Sequence, residues 1–192
     1  MRERRIPLEL AKAAVAAAGA DVECAQVASV PGQRDLLLVV GLLPPVSDTD
    51  YGKCFILVRQ SRGRLERVAR GHGGADSYSF DPIFFTGAGR IFVAAEMGTE
   101  FPWGYAIFEI VRGRQLVELG SLDIFLDDPE AENGRSATDV LRAVLEHGQL
   151  VIEVDAPAVW ESIGSDGSTE HARRGRRPVA FAQKGNKFER VR

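Results

Sequence analysis

Few residues in the sequence have the types and the spacing that catalysis requires. His72, Asp76 and Ser77 supply the side chains of a nucleophilic triad, but they share one short glycine-rich loop and lie too close together to face one another in those roles. A second group, an acidic run, could bind a cation or act as acid and base, but a solvated loop explains it more simply. The run contains Asp123, Asp127, Asp128, Glu130 and Glu132. We therefore assign no catalytic residue, no metal ligand and no cofactor.

The cysteines and histidines are too scattered to predict a metal centre. Cys24 and Cys54 are the only cysteines, and the three histidines form no CxxC or HxxxH pattern. If the strands follow one another as a meander, the cysteines lie two strand spacings apart, about 9.5 Å. Disulfide Cα atoms are rarely more than about 7 Å apart. We therefore expect two thiols and a cytoplasmic protein, or a periplasmic one if residues 1–19 are a processed signal.

Binding is the chemistry that the sequence favours, because aromatic and acidic residues concentrate in three long loops. The loops cover residues 44–53, 98–104 and about 157–177, and both tryptophans of the chain lie within them. Exposed Trp and Tyr with a polar rim are typical of a contact surface. In the alternative interpretation, Trp103 and Trp160 fold back to cap the core. The predicted binding residues are Asp48, Asp50, Tyr51, Glu100, Phe101, Trp103, Tyr105, Trp160 and Asp166.

The elements that would position these loops form a repeating strand pattern. Apolar runs that begin at residues 36, 91 and 150 are each followed by a long loop, a second apolar run, a glycine turn and a third run. An earlier segment can be added to each. The chain thus predicts three four-stranded antiparallel units over 21–70, 77–122 and 136–192, with their long loops at one end if the units are related by symmetry.

Two features of this prediction stay open. The first segment of the third unit, residues 137–146, has Val140, Leu141, Val144 and Leu145 at helical spacing, which slightly favours a helix there. The units can also close in two ways, as propeller-like blades or as a barrel or sandwich that shares one core.

The N-terminal segment predicts a helix over residues 7–18. Pro7 suits a first helical turn, Gly19 suits a C-terminal stop, and the alanines between them leave a thin apolar face. This helix and the three units would make residues 1–192 a single, mainly β domain. The 45% hydrophobic content is enough for a core.

Charge argues against a polyanionic partner. The 24 Lys and Arg residues against 27 Asp and Glu give a formal charge of −3, and the basic residues of 173–192 are not interleaved with exposed aromatics. We therefore expect a soluble, bacterial-type protein with a protein partner, and with neither nucleic acid nor a membrane. The alternatives are a hydrolase that uses Asp48, Asp50, Glu100 and Asp166, and a structural protein whose β repeats form a homo-oligomer.

Overall fold

In a computed structural model, the chain is mainly β with one short helix. The structure describes residues 6–21, 25–44, 52–71, 82–98, 103–122, 124–127, 141–154, 158–163, 168–172 and 179–191. Within them lie one helix and fifteen strands, arranged in three sheets.

The helix α1 (Leu8–Ala18) confirms the predicted N-terminal helix. Pro7 occupies the N-cap position, and Gly19 ends the helix with a φ of 73°, which the absence of a Cβ atom permits. The apolar face of α1 is narrow, and Ala14 and Ala18 on that face are completely buried. They pack on the first sheet, so small alanines allow a close approach of helix and sheet.

The first sheet is a four-stranded antiparallel meander, buried on both faces in its centre. One face packs on α1 through Leu37, Val39 and Ile56. The other face packs on the second sheet, where the rings of Phe55 and Phe108 meet edge to face with centroids 5.4 Å apart. Its strands, in spatial order, are β1 (Gln26–Ser29), β2 (Leu36–Leu42), β3 (Lys53–Ser61) and β4 (Arg64–Arg70).

The second sheet has eight strands and curls into a nearly closed barrel. Alternate residues of its strands fill the interior, with Phe85 stacked on Phe92 at a centroid distance of 5.2 Å. Fully burying an aliphatic or aromatic side chain contributes about 1.5–3 kcal/mol. The spatial order is β10 (Leu141–Glu146), β11 (Gln149–Val154), β14 (Val179–Lys184), β15 (Lys187–Arg190), β8 (Gln115–Leu122), β7 (Trp103–Val111), β6 (Arg90–Gly98) and β5 (Ile83–Gly87).

Two glycines make the barrel possible. At the seam between β5 and β10, a Cβ atom on Gly87 would overlap the carbonyl of Ala143. At the junction of β8 with β15, Gly120 has a φ of 133°, and a Cβ atom there would overlap the backbone of Asn186. The amide of Ser121 donates to the carbonyl of Asn186 at 3.0 Å. Both close approaches therefore require glycine.

A third, small sheet consists of three strands outside the barrel. Its order is β13 (Ser168–Ala172), β12 (Ala158–Ile163) and β9 (Ile124–Asp127). The strands β12 and β13 form a hairpin within the connection between β11 and β14. The sequence prediction treated that connection as a long loop, and this part of the prediction is wrong.

The three-unit prediction is not confirmed as stated. The first sheet corresponds to residues 21–70, but the strands expected in the second and third units share one eight-stranded sheet, joined by the parallel pair β8–β15. The result is a barrel with a sheet packed on its outside rather than separate blades.

The slight preference for a helix in residues 137–146 is wrong where the structure describes that segment. Residues 141–146 form β10, which pairs with β11 along its whole length. Leu141 and Ala143 face the barrel core, while Val144 packs on a cluster of the opposite face. Val144 lies on the outer face between Arg142 and Glu146, and this one apolar residue beside Leu145 gives the segment its helical spacing.

Candidate functional site

The strand directions divide the eight-stranded sheet into two ends of different character. Three tight turns lie at one end, which we call the turn end: residues 88–89, 112–114 and 147–148. At the opposite end, the loop end, a four-residue connection (99–102) joins β6 to β7, and a long connection (155–178) joins β11 to β14. The turn 185–186 lies beside Gly120 and Ser121, near the loop end of β8, because β15 pairs with β8 only at Lys187 and Ser121.

The first sheet has the same polarity. Arg59, near the end of β3, donates from Nη2 to the carbonyl of Gly113 in the β7–β8 turn at 3.0 Å. The turns 31–35 and 62–63 of the first sheet therefore lie at the turn end. The last residue of β2 and the first residue of β3 pair with each other at the end of these strands that is far from the turn end.

Most of the predicted binding residues lie outside the described residues. This applies to six of the nine: Asp48, Asp50, Tyr51, Glu100, Phe101 and Asp166. The acidic run and the His72–Ser77 loop also fall outside them, apart from the backbone of Asp127 at the end of β9.

Both tryptophans lie on strands, whereas the sequence predicted that they lie off the strands. Trp103 is the first residue of β7, paired with Gly98 of β6. Trp160 is in β12, opposite Phe125 of β9 and His171 of β13. Because β9 also contacts β7, the sheet that carries Trp160 lies beside the strand that begins at Trp103.

Tyr105 was predicted as a binding residue at the edge of a loop, but its ring is 7% exposed and belongs to the barrel core. It packs with Phe92 and Ile107 in that cluster. Tyr105 is therefore part of the core rather than of an exposed surface.

At the turn end, Arg59 of β3 contacts two turns, one in each of the two larger sheets. Its Nε lies 3.2 Å from Asp35 Oδ2 in the 31–35 turn, an ion pair without hydrogen-bond alignment. Its Nη2 reaches Gly113, as described above. The side chain of Arg59 is only 18% exposed, so it serves as a brace that holds the turns of two sheets together.

Around this brace, exposed arginines lie on the turns themselves. None of them makes an ion pair or a side-chain hydrogen bond within the described part of the chain. We call this set the arginine surface; it consists of Arg34, Arg62, Arg64, Arg112 and Arg114.

Two of these arginines adopt an unfavourable backbone conformation. Arg62 has a φ of 50° and Arg112 a φ of 51°, each followed by a glycine with positive φ. Positive φ at both central residues is the pattern of type I′ hairpin turns, which favour Asn, Asp or Gly at the first position. A residue with a Cβ atom pays about 1–2 kcal/mol in this region. Turn stability therefore does not explain the arginines.

A second arginine arrangement closes the barrel at the same end. Arg90, the first residue of β6, binds Glu109 of β7 through two hydrogen bonds, the one from Nε being 2.8 Å long. Its guanidinium also lies 5.1 Å from the centre of the Phe92 ring. The hydrogen bond that Arg90 donates to the Glu109 carboxylate raises the pKa of Arg90 above its already high ordinary value. The Arg90–Glu109 pair therefore has a structural role, because it covers the barrel core at this end.

The described residues offer little for catalysis. They contain no group of three or more His, Cys, Asp or Glu side chains that could hold a metal ion. Cys54 is a buried thiol whose Sγ lies 3.6 Å from the carbonyl of Gly41, whereas Cys24 is outside the described residues. Across the described ranges, no helix has the length and apolar composition that crossing a bilayer requires.

Comparisons with known proteins give no family for this chain. No protein-family model matches the sequence, and no curated protein matches it.

Sequence reasoning did not identify the arginine surface, although a signal for it was present. The turns at Gly63 and Gly113 were predicted, and each of these glycines directly follows an arginine. Arginine at the first position of a two-residue hairpin turn is a choice that the turn itself does not favour. The unusual residue type at the first turn position could therefore have singled out Arg62 and Arg112 from the sequence alone.

Proposed function

We propose that this chain is a non-enzymatic binding protein that engages a protein partner through the connections at its loop end. The role would be that of an inhibitor, an immunity-type neutralising protein or an adaptor. We further propose a cytoplasmic location and no nucleic-acid or membrane partner. The buried thiol of Cys54 and the packing of α1 into the core support the cytoplasmic location.

The observation that carries the proposal is the arrangement of the two tryptophan-bearing strands. The strand β7 begins with Trp103 at the loop end, and β9 links it to β12 with Trp160. Large aromatic side chains with acidic neighbours in sequence are what protein interfaces use as anchors. The acidic neighbours, Glu100 and Glu161, would form the polar rim.

A capture experiment tests the proposal. The chain, the Trp103→Ala/Trp160→Ala variant and a control variant are each immobilised and exposed to extract from cells that produce the protein naturally. The control, Val117→Ala/Leu145→Ala, removes side chains that are 38% and 48% exposed, neither of them at the loop end. We expect the wild type and the control to retain one stoichiometric protein that the tryptophan variant loses.

Three results would contradict the proposal. Undiminished capture by the tryptophan variant would exclude the loop end as the binding surface. Hydrolytic turnover that Asp50→Asn or Glu100→Gln abolishes would replace the binding role with the enzymatic alternative. A stable homo-oligomer in light scattering, with no captured protein, would favour the structural alternative.

A further inference from the structure

The turn end carries an excess of positive charge that the fold itself does not use. The five members of the arginine surface project from three turns, 31–35, 62–63 and 112–114, or from the residue that follows one of them. Within the described residues, the brace Arg59 has a carboxylate partner, Asp35. The five exposed arginines have none there.

The backbone holds two of these arginines in a costly conformation. Arg62 and Arg112 occupy left-handed positions. Ala88 and His147 have the same conformation in sister turns, so the turn type recurs around the barrel while the arginines do not.

We propose that the arginine surface is a second docking site, which binds an acidic segment or acidic surface of a partner protein. All five residues are arginine rather than lysine, and the planar guanidinium binds a carboxylate through two parallel hydrogen bonds. The turns, held by Arg59, keep the backbone positions of these arginines at a defined spacing before the partner arrives, so mainly side-chain freedom is lost on binding.

The surroundings of the surface favour an acidic protein over a nucleic acid. Glu66 and Glu118 are exposed beside the arginines, on β4 and β8. Interspersed carboxylates repel a continuous phosphate backbone but suit a protein partner of mixed charge. No Trp, Tyr or Phe belongs to the three turns, whereas single-stranded nucleic acids require aromatic stacking platforms. The formal charge of −3 also opposes long-range attraction of a polyanion.

The site lies at the opposite end from the tryptophans and does not depend on the proposed function. If both proposals hold, the chain is an adaptor with one partner at each end. Failure of one leaves the other standing, because the variants that test them are separate.

A pair of asparagine variants tests the docking site without risking the fold. Arg62→Asn/Arg112→Asn removes two charges and at the same time introduces a residue that type I′ turns favour. Ala88→Asn makes the same backbone improvement in a sister turn and removes no charge. Both variants should melt at a higher temperature than the wild type, so lost binding in the first cannot result from unfolding.

Binding is measured by fluorescence anisotropy with a labelled poly-glutamate peptide and, in parallel, a labelled single-stranded DNA of equal charge. At about 0.01 M ionic strength the Debye length is roughly 30 Å, so charge recognition is strong enough to detect. We expect saturable binding of the peptide that Arg62→Asn/Arg112→Asn weakens by about tenfold or more, corresponding to lost charge-assisted contacts. Ala88→Asn should stay within about a factor of two of the wild type.

Four results would overturn the proposal. The first is that the peptide shows no saturable binding, and the second is that Arg62→Asn/Arg112→Asn binds it as tightly as the wild type. The third is that the DNA binds more tightly than the peptide and through the same arginines. The fourth is that the wild type associates with itself and Arg62→Asn/Arg112→Asn does not. The third would assign the surface to a nucleic acid, and the fourth to a second copy of this chain.

Discussion

The turn end and the loop end of the molecule join the same strands in opposite ways. At the turn end, hairpins close over two or three residues, the first two of which have positive φ, and Arg59 and the Arg90–Glu109 pair tie them to the sheets. At the loop end, the β11–β14 connection is long enough to contain the hairpin β12–β13. Short turns on a closed barrel cannot change length without disturbing the strand register, whereas long connections tolerate insertion and substitution.

This comparison suggests a division of roles. The turn end carries charge on tightly paired turns, whereas we propose that the loop end binds through aromatic residues near connections that sequence change can reshape.

The largest effect is expected where the barrel depends on glycine. Gly120→Ala places a Cβ atom into the backbone of Asn186 and forces alanine into a φ of 133°. We expect a loss of about 3 kcal/mol or more in the free energy of unfolding, measured by urea denaturation. Gly148→Ala is the matched control, because its φ is 81° and nothing lies within 4 Å of the added Cβ atom.

That control should lose only about 1 kcal/mol, the cost of the conformation alone. If the two glycine variants were equally stable, the close packing of β8 on β15 would not be what makes Gly120 necessary.

Breaking the ion pair that closes the barrel should have an intermediate effect. Glu109→Gln leaves the Arg90 guanidinium, which is 32% exposed, without its carboxylate. We expect a loss of about 1–2 kcal/mol in the free energy of unfolding. The pKa of Arg90 is raised in the folded state, so its contribution is complete below its unfolded pKa and is lost only as pH rises through the higher folded value.

The destabilisation caused by Glu109→Gln should therefore be constant between neutral and mildly alkaline pH. A difference from the wild type that changes within that window would show that another titrating group governs the closure.

The smallest effect is expected at a turn that carries no arginine. His147 is exposed and has a φ of 51°, and Asn is better suited to that conformation. His147→Asn should stabilise the protein by about 0.5 kcal/mol, measured as a higher midpoint of urea denaturation. Destabilisation instead would mean that the strain assigned to Arg62 and Arg112 is not a property of these turns.

The sequence predicted those features that local chemistry determines. The helix between Pro7 and Gly19 and the strands that flank Gly63 and Gly113 follow from capping, alternation and turn residues close to them in the chain. The pairing of β8 with β15 could not be predicted in this way, since it depends on a contact between Gly120 and Asn186, far apart in sequence.

The candidate sites show the same limit. The tryptophans were chosen by residue type, but the location of Trp160 on β12 depends on a third sheet that no local sequence pattern predicts. The arginine surface arises because Arg59 brings turns from two sheets together, and only the fold reveals that proximity.

The most direct test of the account is the solvent exposure of the two tryptophans. Trp103 and Trp160 are the only tryptophans of the chain, so intrinsic fluorescence reports on the loop end alone, and Trp103→Phe and Trp160→Phe assign the two signals. If the tryptophans form a contact surface, both should show red-shifted emission, and iodide should quench that emission readily. Blue-shifted emission that iodide leaves unquenched would show that the tryptophans cap the core, and it would contradict the assignment of the loop end as a binding surface.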